Sequence, residues 1–371
     1  MASAKVSCYA RVVMNNAFPT RPALTIDLLA IIENFRLIQS QVAPAEVAAV
    51  VKADAYGMGA RPISKALAAA GCKAFFVAHT EEAIELRQGV PTATIFVLNG
   101  FVGSLAAPFA THKLSPVISS LPQLEDWLAS KLQTPYALHL DTGMSRLGLS
   151  VDETQAASNF ARPTLIMSHL ACSDDPGELK NRDQLLTFKA LSKRFPNSWT
   201  SIAASGGCFL GPDYSLDLVR PGIALYGGNP RKSGENPMRG VATLAAPILQ
   251  IRSIDRGDTV GYGATYVASG PRRLAIVAIG YADGLMRSLS NRGHGVINGM
   301  KCPIVGRVSM DLVTLDVSEC PPSVAQPGTM VEFIGPHQPI DELARAAGTL
   351  PYEIFTRLGP RISRHYTGTQ L

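Results

Sequence analysis

The 371-residue chain contains no apolar run long enough to span a membrane. It has no C-x-x-C pair, and no His/Cys cluster has zinc-ligand spacing. The six cysteines (Cys8, Cys72, Cys172, Cys208, Cys302 and Cys320) lie far apart, as reduced and mostly buried thiols of a cytoplasmic protein would. The net charge of +5 comes from scattered residues. No Lys/Arg run interleaves with aromatics, which argues against a nucleic-acid surface. Lys5 and Arg11 precede no apolar stretch before Asn15-Asn16, so no secretory signal is expected. Residues 1–22, ending in Pro19 and Pro22, read as a loosely ordered extension.

What is present is globular: 46% hydrophobic and 17% charged residues, enough for two cores. From residue 23 to about 237, apolar runs alternate with helical stripes. The runs end near Val51, Ala78, Leu98, Ile118, Leu140, Ser168, Ala204 and Val219. Eight strands with intervening helices over about 200 residues predict a (β/α)8 barrel. A doubly wound open sheet is the rival, but no G-x-G-x-x-G turn follows the first strand. Residues 229–240 are polar and proline-rich. After them, short alternating runs broken by Gly and Pro predict a second, mainly β domain over 238–371.

A barrel concentrates its chemistry at the C-terminal ends of its strands. Lys52 closes the first strand, within Ala49-Val-Val-Lys-Ala-Asp-Ala-Tyr-Gly-Met-Gly59. Burial lowers a lysine pKa, and a neutral amine is a nucleophile for an aldehyde. A lysine that reaches out to solvent beside a glycine turn is the plain alternative. Tyr56 lies four residues on, and Gly57 and Gly59 would let backbone approach a ligand. Arg146 follows the fifth strand and His169 the sixth. Ser205-Gly206-Gly207 follows the seventh, and Arg220 with Gly222 and Ile223 the eighth. The last two loops offer a hydroxyl and backbone amides where barrels often bind phosphate; tight turns would give the same pattern.

Val51-Lys-Ala-Asp-Ala-Tyr-Gly57 resembles the cofactor-lysine motif of the alanine racemases, enzymes dependent on pyridoxal 5'-phosphate (PLP). Further matches come in order: Asp141-Thr-Gly-Met-Ser-Arg146, Leu218-Val-Arg-Pro-Gly-Ile223, Gly261-Tyr-Gly263, Ala278-Ile-Gly-Tyr281 and Val305-Gly-Arg-Val-Ser-Met-Asp311. The resemblance implies PLP on Lys52, contacted by Tyr56, His169, Ser205, Gly222, Ile223 and Tyr352, with Arg220 on the pyridine nitrogen. It implies Lys52 and Tyr262 as the two catalytic acid/bases, and Arg146, Tyr281 and Met310 at the substrate. It also implies a head-to-tail homodimer, alanine as substrate, D-alanine for peptidoglycan as the product's use, and no metal. On the residues alone, Tyr262 reads first as a strand aromatic beside a glycine bulge. A racemase of serine, lysine or several amino acids is the neighbouring reading, and a non-catalytic PLP-binding barrel a more distant one. A decarboxylase of the same fold would set an acidic group, in place of Arg220, against the pyridine nitrogen. The chain departs from the family pattern at Met58 and Ser309, and at His139, where many relatives carry a carbamylated lysine that orients the substrate arginine. A neutral His139 accepting a hydrogen bond from Arg146 is the expected substitute. The alternatives are a bound anion such as chloride between the two, or a His139 that is only a packed strand residue while another group orients Arg146.

Overall fold

The computed structural model describes residues 20–368. The extension expected over 1–22 therefore lies almost wholly outside the described residues, as do Lys5, Cys8 and Arg11. The described chain divides into two units. One comprises residues 25–243, 339–358 and 364–368; the other comprises 20–24, 244–338 and 359–363.

The first unit follows the β/α alternation of its sequence. Strand β1 (Ala23–Asp27) runs into helix α1 (Leu28–Val42), where the Asp27 carboxylate accepts the amides of Leu29 and Ala30. That cap satisfies donors which a helix start otherwise leaves open. Next come β2 (Glu46–Val47), β3 (Ala49–Val50), the one-turn segment α2 (Lys52–Gly57), α3 (Ala60–Ala69), β4 (Ala74–Val77) and α4 (Thr80–Arg87). The alternation continues with β5 (Thr94–Val97), α5 (Ala106–His112), β6 (Ser115–Ile118), α6 (Leu121–Ser130), β7 (Ala137–His139) and α7 (Val151–Ser158). It ends with β8 (Leu165–Met167), α8 (Leu179–Ser192), β9 (Trp199–Ser201) and β10 (Leu218–Val219).

Strands β3 to β9 form one seven-stranded parallel sheet in sequence order. Strand β10 closes it. It pairs in parallel with β2, the Ala48 amide donates to the Val219 carbonyl, and the Arg220 amide donates to the Ala203 carbonyl. With β2 and β3 as one interrupted strand, the ring has the expected eight members. Its strands bury Val47 to Val51, Phe75 to Val77, Ile95 to Val97 and Leu165 to Met167, and the Phe76 and Phe96 rings stack at 4.7 Å. Parallel strands covered on both faces need such continuous apolar runs.

Two later helices, α9 (Ile340–Ala347) and α10 (Pro351–Thr356), group with the barrel. Their place in the sequence had put them in the block 238–371. They pack where α2 needs a lid: a Cβ on Gly57 would lie 2.6 Å from the Phe355 carbonyl oxygen.

The second unit is built on the long strand β11 (Ala242–Ile254). The hairpin β12 (Thr259–Val260) and β13 (Tyr266–Val267) follows, then β14 (Arg272–Val277), β15 (His294–Ile297), β16 (Met300–Pro303), β17 (Val313–Asp316) and β18 (Met330–Ile334). β11 pairs antiparallel with β18 along its first half and with β14 along its second, shifting register on the way. The antiparallel pairs β14–β17 and β15–β16 extend the sheet. The last strand, β19 (Ser363–Thr367), belongs from residue 364 onward to the first unit. Among the described residues, no helix is long and apolar enough to cross a membrane, and no group of three or more His, Cys, Asp or Glu could hold a metal ion. Among the described residues, five cysteines are free thiols, four of them buried.

Candidate active site

The barrel mouth begins where β3 ends. The Val51 amide makes the last ladder bond, to the Phe76 carbonyl at 2.9 Å, and Lys52 comes next. The segment expected to be a loop is a left-handed turn. Ala53, Asp54, Ala55 and Tyr56 have φ of 54, 52, 52 and 57° with ψ between 39 and 52°. Left-handed geometry costs an L-residue about 1–2 kcal/mol, so this turn stores on the order of 4–8 kcal/mol that its surroundings offset. It is tied at several points. The Ala55 amide donates to the Val51 carbonyl, the Gly59 amide to the Asp54 carbonyl and the Ala60 amide to the Asp54 carboxylate. The Ala53 amide donates to Glu82 Oε1 at 2.7 Å. Gly57 and Gly59 were expected to admit a ligand. Their space is instead taken by protein: Phe355 at Gly57, and the Tyr366 hydroxyl 2.0 Å from a Cβ on Gly59.

Lys52 has the electrostatic setting its position implies. Burial holds its amine below the usual lysine range, Arg146 adds to the depression and Glu82 opposes it. Tyr56 is buried, its ring centroid 4.7 Å from Tyr226 and 6.0 Å from Tyr352. The Tyr226 hydroxyl donates to the Val50 carbonyl at 2.9 Å, which anchors the end of β3 from behind.

Arg220 is 3% exposed. Its guanidinium donates to the Ser168 carbonyl at 2.6 Å and to the Ser201 hydroxyl, and lies 5.9 Å from the Phe76 ring centroid. No carboxylate pairs with it among the described residues. Burial pushes its pKa down to about 10, which leaves it protonated at neutral pH. A buried cation held only by neutral acceptors carries an unrelieved desolvation cost. It also imposes its field on its neighbours. His139 falls to about 4, first through burial and then through Arg220 and Arg146. His169 falls to about 3, again through burial first and then the same two arginines. Both imidazoles are neutral at pH 7.

The expected hydrogen bond from Arg146 to His139 is absent among the described residues. His139 is buried and Arg146 is exposed, and they meet only through their fields. What shapes the approach to Arg146 is Asp141. Its Oδ1 accepts the amides of Gly143, Met144 and Ser145. The bonds Asp141 N to Leu149 O and Leu149 N to His139 O close the loop at its base.

At the far side of the mouth, Ser205 Oγ accepts the amides of Gly222 at 2.9 Å and Ala224 at 3.2 Å. A Cβ on Gly222 would sit 2.1 Å from the Tyr56 hydroxyl, so only glycine lets that hydroxyl stand against the 222–224 backbone. Ile223 is buried beside it. Tyr56, Ser205, Gly222 and Ile223 thus lie at one place, where two of the amides expected to be free are taken by the Ser205 hydroxyl.

The remaining predicted residues lie in the second unit. Tyr262 is 73% exposed, between Gly261 and Gly263, both at φ 72°. Tyr262, Tyr281, Arg287, Arg307, Val308 and Ser309 line a cleft of about 260 Å³. Tyr281 and Met310 are fixed by a close backbone crossing. Tyr281 N donates to Ser309 O and Ala282 N to Met310 O, and a Cβ on Gly280 would lie 2.3 Å from the Met310 carbonyl oxygen. Arg361 braces the same region by pairing with the buried Asp283 at 3.0 Å and with Asp311 at 2.7 Å.

Three supporting groups went unnoticed in the sequence: Ser168, Ser201 and Gln184. Ser168 Oγ bonds Thr142 and the Leu140 carbonyl, while Gln184 spans Thr142, the His169 carbonyl and the Ala171 amide. Ser and Gln inside apolar strand and helix patterns were the available signal, since buried polar groups are there to be bonded.

A family model described as "Alanine racemase, N-terminal domain" matches residues 26–230, and one described as "Alanine racemase, C-terminal domain" matches 241–366. The alanine racemase of Brucella canis is 46% identical over 367 residues, covering 92% of this chain and 93% of its own. That of Methylobacterium sp. (strain 4-46) is 45% identical over 362 residues, covering 95% and 100%. Among solved structures, alanine racemase from Bartonella henselae, with covalently bound pyridoxal phosphate, superposes with a TM-score of 0.89 at 42% identity over 94% of this chain and all of that one.

Proposed function

The chain belongs to the alanine racemase family, and from that premise we propose that it is a PLP-dependent enzyme interconverting L- and D-alanine through its barrel-mouth residues. The observation that carries the reading is Lys52: a strand-end amine at the barrel mouth, driven toward its neutral form by burial and Arg146. The residues present fit the cofactor. The Tyr56 and Ser205 hydroxyls converge on the 222–224 backbone, where a phosphate would be held, and Arg220 is a buried cation with no carboxylate partner among the described residues. Tyr352 and the neutral His169 complete the set of cofactor contacts.

Bound PLP would supply an electron sink that makes the substrate's Cα–H acidic. The protein directs that acidity. Lys52, once its amine is free, exchanges the proton on one face of Cα; Tyr262 serves the other. Arg146 binds the substrate carboxylate, and Tyr281 and Met310 bound the substrate's side. Arg220 cannot surrender its proton to the pyridine nitrogen, so that nitrogen stays an acceptor. A bound pyridine ring facing Arg220 would therefore be a weaker electron sink, leaving Lys52 and Tyr262 to return the proton to Cα. This favours racemisation over transamination.

The barrel unit and the β unit divide the work, with Tyr262 delivered by a second copy of the chain in a head-to-tail homodimer. A cytoplasmic enzyme supplying D-alanine for peptidoglycan is the setting. The test is a chiral assay of the PLP-loaded chain on a panel of L-amino acids. D-alanine should accumulate to an equimolar mixture faster than any other product. A faster reaction on serine or lysine would reassign the substrate, and no reaction on any would remove the activity.

A further inference from the structure

We propose that Glu82 is a positioning residue for Lys52: its carboxylate clamps the left-handed turn that begins at Ala53 to the start of α4 and sets a fixed negative charge facing the Lys52 side chain. The inference rests on Lys52 being the cofactor lysine.

By sequence alone Glu82 has an ordinary task, as an acid in the first turn of a helix that Thr80 would cap. The cap is His79, and Glu82 is the third helical residue. A glutamate there commonly reaches back to the cap amide. Here Oε2 takes that amide at 3.2 Å and the Ala78 amide at 2.7 Å. Oε1 leaves its own helix and takes the amide of Ala53, 29 residues away in sequence. Three N–H donors thus converge on one side chain. An ionised carboxylate, which only accepts, suits all three; a glutamine would turn its NH2 toward one of them.

The peptide unit held by Oε1 joins Lys52 to Ala53. Its orientation sets both the entry into the left-handed turn and the direction in which the Lys52 side chain leaves the backbone. Ala53 is exposed, so water could satisfy its amide; water would not fix its direction. Lys52 faces three charged or titratable groups. Burial and Arg146 disfavour its ammonium form, Glu82 favours it, and the neutral His169 adds no charge. An amine that must both take and return a proton needs this balance.

The test uses the full-length chain freed of PLP with hydroxylamine. The pH midpoint of Lys52 reductive methylation is read by peptide mass spectrometry, and amide hydrogen exchange is read over residues 52–57. Glu82→Gln should lower the Lys52 midpoint by about 0.5 unit or more and speed exchange in the turn about tenfold or more, with the Lys73 midpoint unmoved. Glu82→Asp, which keeps the charge on a shorter arm, should hold the midpoint closer to the parent and serves if the glutamine variant does not fold. A midpoint or a turn exchange rate unmoved in the folded glutamine variant overturns the proposal and leaves Glu82 a plain helix cap. Whether Lys52 carries PLP is read separately, by borohydride labelling of the parent. A label elsewhere would remove the catalytic premise without altering either readout.

Discussion

Ala53→Gly tests whether the turn after Lys52 is held against its own backbone preference. Ala53 sits at φ 54°, ψ 48°, with its methyl exposed, so the substitution removes no packing. Glycine adopts this geometry freely, which releases about 1–2 kcal/mol. The unfolded chain gains freedom with glycine, which returns about 0.5–1 kcal/mol. The net expectation is a protein more stable by about 0.5–1 kcal/mol. Ala53→Val should do the reverse and lose at least about 1 kcal/mol, since a β-branched residue fits the left-handed region worst. The assay is urea unfolding of the PLP-free chain at fixed concentration, comparing midpoints at unchanged slope. A glycine variant less stable than the parent would show that Ala53 is not strained in place.

Gly222→Ala places a methyl 2.1 Å from the Tyr56 hydroxyl. Overpacking of about 1–3 kcal/mol should raise the Kd for PLP about tenfold or more, measured by absorbance titration. His139 and His169 have folded pKa values of about 4 and about 3, below the usual histidine value. The unfolded chain therefore takes up their protons first. Their contribution is intact above about pH 6.5 and is lost as pH falls toward 4 and 3, by at most about 1.4 kcal/mol per pH unit for each. His139→Gln should flatten the acid side of a stability–pH curve, and a curve parallel to the parent's would count against a buried neutral imidazole. Arg220→Glu would let the pyridine nitrogen hold a proton, so racemisation should fall while the share of abortive transamination, read as pyruvate formed, rises.

Much of the site was legible because barrels tie chemistry to strand ends. Lys52, Arg146, His169, Ser205 and Arg220 all stand at or just past the end of an apolar run, and strand ends are fixed by a strong period. Gly222 was legible as a glycine but not in its reason, the Tyr56 hydroxyl, which lies 166 positions away in the chain. The left-handed turn was hidden: Ala-Asp-Ala-Tyr carries no signature of positive φ, and tertiary bonds impose it. Glu82 was hidden for the opposite reason, because its local role as a helix-start acid was sufficient. The grouping of α9 and α10 with the barrel was out of reach of periodicity, which reports the shape of a segment and not its partner. The His139–Arg146 hydrogen bond failed as an expectation because closeness in the chain, seven positions, does not amount to contact.

The central claim is that Lys52 holds the cofactor, and it can be met directly. The PLP-loaded full-length chain is reduced with borohydride, digested, and its pyridoxyl-labelled peptide sequenced by mass spectrometry. The account predicts a single label, on Lys52 in Val51-Lys-Ala-Asp-Ala-Tyr-Gly57. A stoichiometric label on any other lysine, with Lys52 unmodified, would contradict it.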